Sequence, residues 1–294
     1  MTRINRAIEL LEAGQPLYYV TVPDDQRNFE GGVAFAQTWA DYISYDVEHA
    51  PFDMTRLAQF MRGMVAAGTT RSGHRTPAVI VSLPMFGTDA ITVRVNAWQI
   101  QQILATGVHG LLLPHVESLE AGKAFVEASR YPFNLVGVGA GLDEGRRGDG
   151  GQRSAAAIWG VSYRDYLDLA DPWPLNPKGE LLLGLKIENK RSLANVEESL
   201  KTPGVKFVEW GPGDMGKSMG FPDNHDEPHP PEMQEARRRI FAACKANDLF
   251  FLNAVTPTNV IQMIEEGVMI GFGGNAGQEC AEIGRRFTKR ILPW

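Results

Sequence analysis

Acidic side chains and one histidine gather at three places in the chain, each at the end of a short apolar run. Asp46 ends the run YISYD, and Glu48 and His49 follow within three residues. Glu188 ends LLLGLKIE, and Asp214 follows VKFVEW. Carboxylates and imidazoles hold divalent cations and move protons near neutral pH. The pattern therefore predicts acid–base or metal-assisted chemistry, provided that the fold brings the three places together.

Glu188 and Asp214 are 26 residues apart, which is about one strand and one helix of a parallel fold. On adjacent strands, the two carboxylates suit a divalent cation such as Mg²⁺ or Mn²⁺, with Co²⁺ as a further candidate. The alternative is that each carboxylate caps a helix or pairs with a nearby Arg or Lys. Gly213 lies in the turn GPGD, whose backbone N–H groups can hold a carboxylate or enolate oxygen.

His49 has acidic neighbours on its N-terminal side. Asp46 or Glu48 could orient the imidazole and make it a general base near neutral pH. The alternative is a loop histidine without a catalytic role. His115 follows the apolar run GLLLP and is a second histidine that could line the same edge.

The elements that must position these residues alternate regularly between apolar runs and stretches of helical period. Eight runs predict buried strands: LYYVT (17–21), YISYD (42–46), AVIVSL (78–83), GLLLP (110–114), LLLGLKIE (181–188), VKFVEW (205–210), LFFLN (249–253) and VMIGF (268–272). The predicted helices include one capped by Asp53, one capped by Asn96 and a closing helix from Gln278 to Leu292. Eight strand–helix units favour an α/β fold, a (β/α)8 TIM barrel formed by residues 1–294 as a single domain. An open doubly wound sheet is the alternative.

The chain has 294 residues, and a barrel of this kind typically needs about 250. The segment 139–180 is rich in Gly and Pro, which predicts a long inserted loop between strands 4 and 5 of the barrel that could serve as a lid. Together with 84–95, it is the expected source of substrate specificity. Four aromatic residues could form a wall there or pack at a surface or interface: Trp98, Trp159, Tyr163 and Trp173.

Charge and composition exclude several classes of protein. The 29 Lys and Arg against 35 Asp and Glu give a net charge of −6, which argues against nucleic acid as a partner. Cys244 and Cys280 match no metal-binding or redox spacing. An apolar run long enough to span a membrane is missing, as is a signal peptide at the N-terminus, so we expect a cytoplasmic enzyme with small-molecule substrates.

Three motifs resemble those of the HpcH/HpaI aldolases, a family of metal-dependent class II pyruvate aldolases. They are YDVEHAP (45–51), KIEN (186–189) and WGPGDMGKSMG (210–220), and the segments RYP (130–132) and HPPEMQEA (229–236) are similar too. The resemblance implies a (β/α)8 barrel that assembles as a homo-oligomer, a trimer or hexamer. It also implies a lyase that cleaves or forms 4-hydroxy-2-oxo acids through a pyruvate enolate, with an aldehyde as the second compound.

The resemblance also implies roles for individual residues. Glu188 and Asp214 would hold the metal, and His49 would be the base, kept in place by Asp46. The amides near Gly213 and Asp214 would bind the pyruvate carboxylate.

The chain departs from the family's pattern at the end of the third strand, where an Arg is usual and Ser82 stands here. Either Arg94 reaches the site from a lengthened loop, or the site lacks a guanidinium. Three related functions therefore stay open beside the aldolase: decarboxylation of an oxaloacetate-like acid, cleavage of malyl- or citramalyl-type CoA esters, and binding of an acidic metabolite without turnover. A CoA ester would need a basic groove, for which Arg146, Arg147 and Arg153 form a local cluster.

Overall fold

Eight parallel strands close a barrel in the computed structural model, which describes residues 3–223 and 227–291. The strands are β1 (Leu17–Thr21), β2 (Tyr42–Asp46), β3 (Ala78–Ser82), β4 (Gly110–Leu113), β5 (Pro172–Trp173), β6 (Leu181–Lys186), β7 (Phe207–Glu209), β8 (Phe250–Ala254) and β9 (Val268–Phe272). The pairing runs β1-β2-β3-β4-β6-β7-β8-β9 and returns to β1, while the two-residue β5 pairs with β6 alone. This closure confirms the predicted TIM barrel and excludes the open sheet.

Helices follow the strands on the outside of the barrel. They are α1 (Arg6–Glu12), α2 (Phe29–Phe35), α3 (Met54–Ala66), α4 (Ala90–Val95), α5 (Ala97–Ala105), α6 (Leu119–Ser129), α7 (Gln152–Trp159), α8 (Tyr163–Leu169), α9 (Lys190–Ala194), α10 (Val196–Ser199), α11 (Pro212–Met219), α12 (Pro231–Ala246), α13 (Val260–Glu266) and α14 (Gly277–Phe287). Among the described residues, no helix is both long and apolar enough to cross a membrane.

The strands are buried on both faces because they lie between the barrel interior and the helices. Every residue of β3, β4 and β6 is buried. Such strands read as continuous apolar runs, which is why all eight could be found from the sequence. Polar residues are concentrated where the strands end, so the sequence also indicated the edge that carries the chemistry.

The helix caps were predicted with mixed success. Asp53 caps α3 as expected, since its Oδ1 accepts the Arg56 N–H at 3.0 Å. The Asn96 side chain does not cap the start of α5; it donates to the Thr92 carbonyl at the end of α4, a helix that the sequence did not predict. The closing helix ends at Phe287 within the described residues, and Leu292 lies outside them.

The segment 139–180 is not the predicted loop, because it contains α7, α8 and β5. Trp159 at the end of α7 is buried, donates from Nε1 to the Gly107 carbonyl at 2.9 Å, and stacks on His109. Gly107 and His109 directly precede β4, so α7 packs at the end of the barrel opposite the predicted site. The helix α7 is not a lid, since its apolar residues are buried and it packs on α3 and α5. That 1–294 form a single domain stays a prediction.

Candidate active site

The carboxyl ends of β2, β3, β6 and β7 bring polar side chains to one mouth of the barrel. Strand register pairs Asp46 with Ser82 and Lys186 with Glu209. These four residues line a cavity of about 250 Å³ together with His49. Asp46 and His49, predicted from sequence as a pair at this edge, therefore do share a cavity.

His49 and Asp46 form a hydrogen-bonded pair. His49 Nδ1 lies 2.8 Å from Asp46 Oδ2, and Asp46 Oδ1 accepts the backbone N–H groups of Glu48 and His49 at 2.8 and 3.1 Å. Since a carboxylate only accepts, Nδ1 carries the proton and Nε2 presents a lone pair. Burial lowers the pKa of His49, but the hydrogen bond to Asp46 and the negative charges of Glu48 and Asp46 outweigh it and raise the pKa overall. The imidazole is thereby prepared to accept a proton at Nε2.

Lys186 is a functional candidate that the sequence analysis missed. Its ammonium group lies 2.8 Å from Glu48 Oε2 and 3.1 Å from Glu188 Oε2, and the residue is buried. Burial lowers the pKa of Lys186, but the charges of Glu209, Glu188 and Glu48 raise it well above the ordinary value. Lys186 therefore stays charged and balances the carboxylates. Its position two residues before Glu188, on the same face of the strand, was the available signal.

Glu48 lies beneath the rim rather than on it. Its side chain is 3% exposed, and its Oε1 has no hydrogen-bond partner among the described residues. Burial raises the pKa of Glu48 to about 7; the Glu188 charge adds to this, while Lys186 opposes it. A buried carboxylate oxygen without a partner is costly, and a cation is one way to satisfy it.

His115 reaches the same mouth from the end of β4. Its backbone N–H donates to Glu188 Oε1 at 3.0 Å, and its Nε2 lies 3.8 Å from both Glu48 Oε1 and Glu188 Oε1. The backbone is in the left-handed region, with φ 50°, and the ring makes an edge contact with Phe86, 4.3 Å between centroids. Phe86 belongs to the stretch 84–95, so that part of the predicted specificity region does adjoin the site.

Asp214 enters the mouth from the first turn of α11, and the turn before it depends on Gly211. Gly211 has φ 51°, and a Cβ there would lie 2.4 Å from Glu188 Oε2, so only glycine fits. Asp214 Oδ2 lies 3.9 Å from His49 Nε2. Gly213 precedes Asp214 in the same helical turn, at the mouth.

A group of potential metal ligands results from this arrangement. One ligand atom each from Glu48, His115 and Asp214 lies within 4.8 Å of the others. Glu188, predicted as a ligand with Asp214, is adjacent to this group through its contact with His115. The unpartnered Oε1 of Glu48 and the surplus of carboxylate oxygens fit a hard divalent cation.

The structure does not bring Arg94 to the mouth. Residues 90–95 form α4, whose cap is Asp89, because Asp89 Oδ1 accepts the Thr92 N–H at 2.8 Å. The helix turns the guanidinium of Arg94 towards Glu127 on α6, at 3.8 Å. Arg94 therefore does not replace the arginine that is missing at Ser82.

The three arginines proposed to bind a CoA ester make their contacts with other side chains outside the group described above. Arg147 is buried between Tyr131 and Tyr166, and Arg146 faces Glu127 at 3.6 Å. Arg153 lies over the ring of Tyr163. Through these contacts, the three arginines pack around the segment that contains α7 and α8.

The relatives found by comparison with known proteins agree with one another. The family model "HpcH/HpaI aldolase/citrate lyase" matches residues 34–280. A hydroxypyruvate/pyruvate aldolase from Paraburkholderia phytofirmans is 29% identical over 210 residues, 71% of this chain and 68% of that protein. A 2-keto-3-deoxy-L-rhamnonate aldolase from Klebsiella pneumoniae is 32% identical over 208 residues, 70% of this chain and 64% of that protein. The match to the enzyme of the same name from Escherichia coli K12 spans 49% of that relative.

Solved structures agree on the fold. A HpcH/HpaI aldolase/citrate lyase family protein from Burkholderia cenocepacia superposes with a TM-score of 0.70 at 23% identity, covering 96% of this chain and 97% of that one. At this identity the likeness concerns the fold alone. The family match, by contrast, spans most of the chain, including the strand ends that form the mouth.

Proposed function

This chain belongs to the HpcH/HpaI aldolase/citrate lyase family, and on that premise we propose that it is a divalent-metal-dependent carbon–carbon lyase acting on 4-hydroxy-2-oxo acids. The observation that carries the proposal is the Asp46–His49 pair, whose Nε2 faces Glu48 and Asp214 at 3.7 and 3.9 Å. Removing a proton from a substrate next to a cation requires a base beside the carboxylates that hold the cation.

The base in this proposal is His49. Its Nε2 removes the proton of the 4-hydroxyl group, the C3–C4 bond breaks, and the 4-carbon leaves as an aldehyde. The electron pair of the broken bond stays on the pyruvate part as an enolate, whose C3 takes the proton from His49 Nε2 to give pyruvate and to restore the neutral imidazole. Asp46 keeps Nδ1 protonated and stabilises the imidazolium that forms. In the reverse direction, the same groups add pyruvate to an aldehyde.

Glu188 and Asp214 would hold the cation, with Glu48 beside them. A divalent cation here supplies positive charge that stabilises the negative charge developing on the 2-oxo oxygen. Backbone N–H groups at Gly213 and Asp214, in the first turn of α11, would bind the substrate carboxylate. Ser82 lines the cavity together with Asp46 and His49. Mg²⁺ and Mn²⁺ suit this oxygen-rich set of donors, and Co²⁺ is the next candidate.

No observation on the described residues favours the related functions. A CoA ester would need free basic side chains, and Arg147 and Arg153 are both engaged by tyrosines. The identity of the aldehyde and the assembly into a trimer or hexamer stay predictions from the resemblance.

Proton exchange on pyruvate tests the proposal directly. Incubation with pyruvate and Mn²⁺ or Mg²⁺ in D₂O should exchange the methyl protons, observed by NMR, and a chelator should abolish the exchange. The absence of exchange with Mg²⁺, Mn²⁺ and Co²⁺ alike would overturn the proposed function.

The metal ligands are tested by Glu188→Gln, which removes one charge from the site. The affinity for Mn²⁺ should fall at least about tenfold, since ligand carboxylates contribute charge as well as geometry. Glu265→Gln makes the same chemical change on the exposed surface of α13 and should leave the affinity unchanged. Equal affinity in both variants would contradict the role of Glu188.

A further inference from the structure

The geometry points to His115 as a hydrogen-bond donor to the substrate: its Nε2–H binds an anionic oxygen of the 2-oxo acid, and Asn189 fixes the tautomer that makes this possible. The identity of the ligand rests on the function proposed above. The tautomer does not, because it follows from hydrogen bonds within the protein.

The orientation of the Asn189 side chain is fixed by the helix that it caps. Its Oδ1 accepts the backbone N–H groups of Arg191 and Ser192 at 2.9 and 2.8 Å, so that atom must be the carbonyl oxygen. The amide nitrogen therefore points the other way. It donates to Glu117 Oε1 at 3.1 Å and lies 3.2 Å from His115 Nδ1.

This contact determines which nitrogen of His115 carries the proton. An amide NH₂ group only donates, so Nδ1 of His115 must accept and cannot itself be protonated. The neutral ring then carries its proton on Nε2. If Nε2 were instead a metal ligand, Nδ1 would have to carry the proton, and two N–H groups would face each other at 3.2 Å. The contact thus favours a donor over a ligand.

The Nε2–H group lies near the carboxylates of Glu48, Glu188 and Asp214. The two nearest carboxylate oxygens there, Glu48 Oε1 and Glu188 Oε1, are both 3.8 Å away, which is beyond hydrogen-bond distance. The left-handed backbone of His115 and the edge contact with Phe86 hold the ring in this position. A donor held ready in this way suits an incoming oxygen anion.

The two histidines of the mouth then have opposite tautomers. His49 Nε2 presents a lone pair because Asp46 accepts from Nδ1, and it lies 3.7 Å from Glu48 Oε1. His115 presents a proton to the same oxygen from 3.8 Å. One ring accepts a proton while the other stabilises negative charge, a task that a neutral imidazole performs in other enzymes. Lys186 already pairs with Glu48 and Glu188, and Arg94 faces away, so His115 supplies a donor that neither of these side chains offers.

The tautomer can be measured by long-range ¹H–¹⁵N correlation on metal-free, ¹⁵N-labelled protein, above the pH range in which histidine titrates. The His115 signals are assigned by their loss in His115→Gln. We expect a protonated Nε2 and an unprotonated Nδ1. A proton on Nδ1 would overturn the proposal.

Ligand binding separates a donor from a metal ligand. The two probes are Mn²⁺, followed by electron paramagnetic resonance, and oxalate, a planar dianion that presents the same pair of oxygens as a pyruvate enolate. In His115→Leu, oxalate affinity of the Mn²⁺-loaded protein should fall about tenfold or more, while Mn²⁺ affinity changes by less than about threefold. His115→Gln, which keeps an N–H donor, should recover part of the loss. The opposite result, a tenfold loss of Mn²⁺ affinity with oxalate binding retained, would show a ligand.

Asn189→Asp in a Glu117→Gln background tests the positioning role without removing the imidazole. Aspartate also caps helices well, but it offers Nδ1 an acceptor, so the proton should move to Nδ1. Oxalate affinity should then fall as in His115→Leu, with an unchanged melting temperature, while Glu117→Gln alone has no effect. An unchanged tautomer would overturn the role of Asn189. A wild-type protein that binds no Mn²⁺ would overturn the proposed function, and the NMR result on metal-free protein would still decide on Asn189.

Discussion

At the scale of single residues, the chemistry of the mouth depends on which partner each imidazole has at Nδ1. Asp46 accepts from His49, whereas Asn189 donates to His115. The two partners belong to different segments of the chain, at the end of β2 and at the start of α9. Because the partner determines the tautomer, a change of one atom in the partner should redirect the proton without moving the ring.

The first prediction concerns Asp46→Asn. Asparagine keeps an oxygen that can accept the backbone N–H groups of Glu48 and His49, but its amide would donate to His49 Nδ1. The proton of the ring would then sit on Nε2, and the base would be lost. We expect the rate of proton exchange on pyruvate to fall about 100-fold or more.

The control for this variant is Asp53→Asn, the same change at the cap of α3, where asparagine is as good a cap as aspartate. Its exchange rate should equal that of the wild type. If Asp46→Asn exchanged as fast as Asp53→Asn, the assignment of His49 as the base would be wrong.

At the scale of the elements, the sequence predicted strands far better than the segments between them. The eight barrel strands are continuous apolar runs, and their ends indicated the mouth, where Asp46, His49 and Ser82 line one cavity and Asp214 lies near His49. The segments 90–95 and 152–169 were read as loops because Gly, Pro and polar residues surround them. Both are helical: α4 buries Val93 and packs on α6, while α7 and α8 pack on each other and α7 also packs on α5. Helix-on-helix packing of this kind leaves little trace in local sequence.

Lys186 could have been found from its position two residues before Glu188, whereas the contact between Asn189 and His115 could not. The two members of that contact are 74 residues apart and meet only because β4 and β6 are neighbours in the barrel. Strand adjacency across an insertion is a property of the closed sheet. The predicted barrel already makes the two strands neighbours, but spacing does not show which side chains meet beyond their ends.

The second prediction concerns α7, which we expect to support the barrel and not to cover the mouth. Trp159→Ala removes a buried indole together with its hydrogen bond to Gly107 and its stacking on His109. The free energy of unfolding, measured by urea denaturation, should fall by about 3–5 kcal/mol. Activity per folded molecule should be retained.

Trp98→Ala is the matched control, since Trp98 is half-exposed and its ring meets Phe52 at an edge. Its loss should cost about 1 kcal/mol or less. Reduced activity in a stable Trp159→Ala protein would mean that the insertion does contribute to the site.

The third prediction follows from His109, which lies between α7 and the start of β4. Its Nδ1 accepts the Val79 N–H at 3.2 Å, and burial lowers the pKa of the ring to about 3, with a smaller contribution from His74. The unfolded chain binds a proton near pH 6.5, so stability from this group is full above that pH and is lost as the pH falls towards 3. The loss should be about 1.4 kcal/mol for each pH unit within this window.

His109→Asn checks this linkage because the asparagine Oδ1 can take the place of Nδ1 as acceptor for Val79. In this variant, the free energy of unfolding should decline less steeply with falling pH than in the wild type. The difference in slope should be about 1.4 kcal/mol per pH unit, the value for one bound proton. Parallel curves for the two proteins would show that His109 is not the titrating group.

At the scale of the whole molecule, the seam between β1 and β9 closes the barrel and has fewer paired residues than the other pairs of described barrel strands. The closing pair β1–β9 has two register positions, Leu17 with Ile270 and Tyr18 with Gly271, whereas β2–β3 has five. Asp41 bridges this region. Its Oδ2 accepts the backbone N–H of Tyr18 at 2.9 Å, and its Oδ1 accepts from Arg285 and Arg290 at 2.8 and 2.6 Å.

The fourth prediction is that this carboxylate holds the seam closed. Asp41 and both arginines are buried, and the arginines come from α14 and the residues after it, so one side chain ties the end of the chain to β1. Asp41→Ala would leave two buried guanidinium groups without this charge. Removing one partner of a buried ion pair typically costs about 3–5 kcal/mol, so the urea midpoint should fall accordingly at fixed protein concentration.

Two comparisons make the interpretation specific. Asp41→Asn keeps one oxygen acceptor but no charge, and should lie between the wild type and Asp41→Ala. Asp168→Asn removes the carboxylate of an exposed pair with Arg164 and should cost less than about 0.5 kcal/mol. If α14 and β1 are held mainly by apolar packing, Asp41→Ala will unfold at the same urea concentration as Asp168→Asn, and the ion pairs will have no part in closing the barrel.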